Sequence, residues 1–254
     1  MEAFLKFLIK IDLKYMLPGF AMFVMSGLAL CLISAVGIFS GNGNFAISAL
    51  YIFFYAMLVA VIYNAVHGAN ILRKNLGDDA YMKKISDGKL EGGQFFFFKL
   101  LQSWGMGIIL VLEYMLLFGA MLLLAEKKLG EKNGVLGLFD KLKDSMDNVP
   151  GGVAALLVMI EGIMLSMAVV SLCFLAFSLC FKFFLRGQYA FAASLMSTLT
   201  MLWLIWKVFD LLVPSGGILA VLGTILFCFM LSALFSFIYI RIMKYFINDQ
   251  NKSN

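Results

Sequence analysis

Two carboxylic acids stand inside long apolar runs of this chain, Glu113 within 100–124 and Glu161 within 152–180. Ionised at the centre of a lipid bilayer, each would cost about 2.5–3.5 kcal/mol on insertion scales, so each must face neighbouring helices or a wet cavity. Glu113 lies 12 residues before Ala125, about 18 Å of helix, and Glu161 lies 9 residues after Gly152, about 14 Å. Antiparallel neighbours would set both carboxyls in the same half of the membrane. There they could share a proton and act as an acid–base pair or line a substrate path. The plainer role is a neutral carboxyl bonded to an adjacent helix. Lys207 and Asp210, three residues apart, read as a local ion pair or as anchors that snorkel to the surface.

Other chemistry is sparse. His67 is the single histidine, and shares a helical face with Asn64 and Asn70. One histidine supports neither a His-rich metal site nor a Ser-His-Asp triad, so it reads as a contact to headgroups or to other helices. The four cysteines, Cys31, Cys173, Cys180 and Cys228, all fall in apolar runs without CxxC spacing and read as small buried apolar groups. The sequence contains no GxxxxGK[ST], HExxH or GxSxG motif. No metal site or cofactor is expected in this chain, and no enzyme activity of its own. Seventeen methionines and twenty-six phenylalanines fit apolar packing, and are compatible with an adaptable greasy cavity.

The elements that must hold these groups are set by composition. Of the 254 residues, 63% are hydrophobic and 14% charged, and the mean hydropathy is +0.96. Soluble domains run nearer 45–50% apolar and about 25% charged. The expected fold is an all-α integral membrane domain over 1–254. Six runs reach the roughly 20 residues that a crossing needs: 18–40, 45–66, 100–124, 152–180, 189–213 and 217–240. Helix is the choice because lipid offers backbone groups no partner and the alternation of a barrel strand is absent. Pro18 suits a helix start. Residues 40–44 and 213–217 read as tight connectors.

The net charge of +5 is not that of a nucleic-acid binder, because Lys and Arg cluster at the ends of apolar runs. With both termini inside, fourteen of the twenty basic residues fall on the cytoplasmic side, the orientation the positive-inside rule favours. Trp203 and Trp206 then fit an outer aromatic belt.

Residues 1–16 carry Glu2, Lys6, Lys10 and Lys14 every fourth position among apolar residues, the pattern of an amphipathic helix lying on the inner leaflet. It is either an anchor or an elbow that passes motion into the first span. The longest inner connection, 67–99, has an Asp-capped short helix over 80–85, a turn at Ser86-Asp87-Gly88, and then Phe95-Phe96-Phe97-Phe98-Lys99 as an interfacial anchor. The outer connection, 126–151, balances five basic against five acidic residues. Val135, Leu138, Phe139, Leu142 and Met146 form one apolar face of a short surface helix there.

This order of parts resembles the membrane subunits of ATP-binding-cassette type-2 exporters. The run Leu90-Glu91-Gly92-Gly93-Gln94-Phe95-Phe96-Phe97-Phe98-Lys99-Leu100-Leu101 looks like the stretch by which their third span begins, with Lys99 and Leu100 at the matching end. The proline and serine of that stretch are missing, and Gly92-Gly93 stands where a basic pair is usual. The fifth-to-sixth connection is also too short for the usual re-entrant hairpin. The resemblance implies a permease subunit in the plasma membrane, working with a separate ATPase subunit that holds ATP and Mg, and with a second permease copy or homologue. It implies coupling to the ATPase through Asp78, Asp79, Lys83, Lys84, Ser86, Asp87, Lys89 and Glu91, with Lys182 and Arg186 as a second contact. The cargo it implies is an amphipathic or hydrophobic peptide. Glu113 and Glu161 are the candidates for a substrate path. A membrane-embedded enzyme or a self-contained secondary transporter using the same two acids is the alternative.

Overall fold

The computed structural model describes residues 2–41, 43–76, 92–129, 151–183, 189–212 and 217–253. Among them there is no strand. Six helices follow in order: α1 (Glu2–Phe39), α2 (Gly43–Leu76), α3 (Gly92–Leu129), α4 (Gly151–Phe183), α5 (Tyr189–Leu212) and α6 (Gly217–Ser253). Five of them hold a stretch long and apolar enough to cross a membrane: Leu17–Phe39, Tyr55–Leu72, Gly93–Ala125, Leu156–Leu179 and Gly217–Tyr245. In α5 the apolar stretch among the described residues is the shorter Met196–Ile205.

Two of the boundaries that differ from the sequence expectation bear on the site. The segment expected on the surface, described from Glu2 onward, and the first span form one continuous α1, with Pro18 inside the helix and not at its start. Proline removes one N–H bond and crowds the carbonyl four residues back, but long membrane helices tolerate this where neighbours re-satisfy the backbone. The second difference is at α3, which starts at Gly92, eight residues before the expected first residue of the span. The phenylalanine run is therefore part of the helix. Phe95 and Phe96 are buried, Phe97 is exposed, and Lys99 is only 6% exposed. Lys99 belongs to the core and not to a headgroup anchor.

Helix α1 ends at a left-handed glycine. Gly41 has φ 73°, and its N–H donates to Ile38 O while the Ser40 N–H donates to Val36 O. Only glycine adopts that φ without strain, and it satisfies carbonyls that the helix end would otherwise orphan. The reversal lays α2 back along α1.

Helix α4 is central and packs against α2, α3, α5 and α6; α1 packs on α2 and α3, and α5 chiefly on α4. The larger core joins α2, α3, α4 and α6 through Val61, Leu72, Phe96, Val170, Phe174 and Tyr239. Phe96 and Phe174 both meet the Tyr239 ring edge to face, at 6.1 and 5.5 Å. The start of α3 and the C-terminal parts of α2, α4 and α6 thus meet at one end of the bundle. A smaller core of Phe53, Met57, Ala60, Leu110 and Tyr114 holds α1 through Phe20 and Phe23. At the opposite end the Lys128 ammonium lies 5.3 Å from the Phe39 ring centre.

The outside is apolar. Leu32 is 69% exposed and Leu219 68%, while Ser34, Asn64, Ser103, Ser166 and Ser171 are buried. Large apolar groups out and polar groups in is the reverse of a water-soluble globule, and is the arrangement lipid requires.

Candidate functional site

Of the site residues expected from sequence, Asp78, Asp79, Lys83, Lys84, Ser86, Asp87, Lys89, Glu91 and Arg186 lie outside the described residues, as does the expected outer helix over 135–146. Lys182 falls in the last turn of α4, its side chain outside the described ones. Glu113 and Glu161 are both described, and they face different helices. One Glu113 carboxylate oxygen is buried without a hydrogen-bond partner, and lies 3.4 Å from where a Cβ on Gly27 of α1 would stand. Its neighbour Tyr114 donates to Phe23 O at 3.0 Å and meets the Ser26 hydroxyl at 2.9 Å, fastening α3 to α1. Glu161 instead faces Thr224 of α6. The Thr224 hydroxyl donates to Ala220 O at 2.8 Å.

The polar groups that the bundle does bring together are others. On the face of α3 toward α2 and α4, Lys99, Gln102 and Ser103 line a crevice of about 10 Å³ with Gly68, Ile71, Leu72 and Phe174. The Lys99 ammonium lies 5.4 Å from the Phe95 ring centre, one turn back on the same helix, within cation–π range. Gln102 Nε2 and Ser103 Oγ are buried without a hydrogen-bond partner in the protein. Asn64 of α2 donates to the Ser103 carbonyl at 3.3 Å. His67, one turn on, stacks on Tyr63 at 5.5 Å and 14°.

The seam continues toward the middle of α3. A Cβ on Gly107 would stand 2.7 Å from Ser166 Oγ of α4 and 3.9 Å from Asn64 Nδ2, so glycine is what admits α4 this closely. Ser166 Oγ has no hydrogen-bond partner. From Lys99 to Gly107 the seam covers about 12 Å.

A second polar cluster, beside the first, is saturated. Trp104 Nε1 donates to Ser171 Oγ at 3.1 Å, and the Ser171 hydroxyl donates to Met167 O at 2.8 Å. Ser236 donates to the Ser232 carbonyl and its oxygen lies 3.2 Å from Ser171 Oγ. The Ser232 hydroxyl, 3.4 Å away, has its proton left for Ser171. One serine thereby ties α3, α4 and α6. The contrast separates a structural tie from a seam with spare hydrogen-bonding capacity.

Sequence reasoning missed Lys99, Gln102, Ser103 and Ser166 as interior groups. Their signal was a lysine followed at three and four residues by Gln and Ser, a polar strip on one face of a helix that starts earlier than expected. Cys173 and Cys228 are buried and Cys31 is part-buried, all as free thiols, in keeping with the reading of small apolar groups. Among the described residues no three His, Cys, Asp or Glu side chains gather as metal ligands.

Among the described residues, a helical bundle with five helices long and apolar enough to cross a membrane, and with polar groups turned inward, has the makeup of a multi-pass membrane protein. Compared with known proteins, the chain matches no family model, no curated protein and no solved structure.

Proposed function

We propose that this chain is the permease subunit of an ATP-driven exporter in the plasma membrane, moving amphipathic or hydrophobic peptides outward. In this reading α5 completes a set of six spans, and both termini lie in the cytoplasm. A separate ATP-binding-cassette subunit supplies the work, and a second permease copy or homologue completes the conduit. The observation that carries transport is the polar seam from Lys99 to Ser166, held inside helices whose outer surfaces are apolar. An interior that merely held helices together would close its hydrogen bonds, as the Ser171 cluster does. The ATPase partner rests on the sequence: the chain has no P-loop of its own, and the order of parts between the second and third spans resembles a coupling region.

The test is copurification from native membranes, followed by reconstitution. A P-loop ATPase should accompany the chain, and export into vesicles should require both proteins and ATP. Charge reversal at Lys83 and Lys84 should leave insertion intact while ATP hydrolysis no longer drives export. If the purified chain alone moves cargo without nucleotide, the ATPase-coupled reading is wrong.

A further inference from the structure

We infer that the crevice between α2, α3 and α4 is a built hydration site, in which one water molecule bridges Gln102 and Ser103 beside the Lys99 ammonium. Its size matches: about 10 Å³ is the room one water needs and is too little for a larger ligand. Its chemistry matches as well. Ser103 is 1% exposed, and its hydroxyl and the Gln102 amide nitrogen are buried with no hydrogen-bond partner in the protein. An amide N–H donates, a hydroxyl donates or accepts, and an ammonium only donates. A water placed among them accepts from Gln102 and Lys99 and donates to Ser103 Oγ. Three polar contacts is the usual number for a buried water.

The remaining walls, Gly68, Ile71, Leu72 and Phe174, offer no side-chain donor or acceptor that could take the water's place. This water is the first member of the seam that continues to Asn64 and Ser166. The inference does not depend on the ATPase-coupled reading, since a hydrated Lys99 corner serves any protein with this bundle.

Water-edited solid-state NMR of the isotope-labelled full chain in lipid bilayers tests it. Polarisation passing from water should build up at the Gln102 amide and at Ser103 Cβ about as fast as at the exposed Lys244. It should be severalfold faster there than at Leu110, which is fully buried in the smaller apolar core. Gln102→Leu should slow the build-up at Ser103 severalfold while that at Lys244 stays unchanged. Build-up at Ser103 as slow as at Leu110 in the unaltered chain overturns the inference. So does build-up at Ser103 that Gln102→Leu leaves unchanged.

Discussion

At the residue scale, this protein separates polar side chains that fasten from polar side chains that wait. Ser171 fills its oxygen with bonds from Trp104 and Ser232 and spends its proton on Met167. Interhelical bonds of this kind average about 0.6 kcal/mol in membrane proteins. Trp104→Phe should therefore lower stability by about that amount, and Ser171→Ala by more, as read from unfolding midpoints in mixed micelles. Gly107 makes a sharper case. Gly107→Ala puts a methyl 2.7 Å from Ser166 Oγ, an overpacking that costs about 1–3 kcal/mol. Ser166→Gly in the same chain should recover most of the loss, a coupling that a double-mutant cycle measures. At Gly162 the new Cβ would meet Met115 Cε at 2.8 Å and Val111 Cγ1 at 3.2 Å; the flexible thioether can swing aside, and the valine need give only a few tenths of an ångström. Gly162→Ala should be the milder change in the same measurement. None of these positions was legible in the sequence, because a glycine or serine in an apolar run carries no mark of which helix it faces. Glu113 and Glu161 were legible as interior acids, since charge inside an apolar run is rare by its cost alone. Their partners were not, because residue count fixes depth along a helix but not rotation about it.

At the element scale, hydropathy identified the helices and misplaced their ends. The apolar content of 100–124 marks a crossing, yet α3 runs from Gly92 to Leu129, since helical hydrogen bonding continues past the apolar run. Lys99 looked like a flank for the same reason. A charged residue seven positions inside a helix start is read as outside only when that start is set eight residues too late. Likewise Pro18 reads as a start where only local propensity is weighed, whereas α1 continues through it. The helices are also unequally held. Helix α4 has neighbours on several sides, while α5 rests chiefly on α4. Local stability follows contact density, so backbone amides of α5 should exchange with deuterium before those of α4 in nanodiscs. Equal protection of the two helices would contradict this packing order.

At the scale of the whole molecule, the number of crossings decides which side each terminus occupies. With α5 as a sixth span, both ends lie on one side, the cytoplasm in the proposed orientation; with α5 on the surface, they lie on opposite sides. A green fluorescent protein fused after Asn254 should glow, and alkaline phosphatase at the same place should be inactive. The opposite pair of results, with an N-terminal reporter still read as cytoplasmic, removes α5 from the set of spans. A further consequence attaches to Lys99, which the bundle keeps 6% exposed while Lys127, Lys128, Lys207 and Lys244 stand open. Amine-reactive reagents are far larger than the space beside Lys99 and should acylate those four first. Acylation of Lys99 then becomes a clock for the parting of α2 from α3, readable by mass spectrometry in intact membranes without altering a single residue.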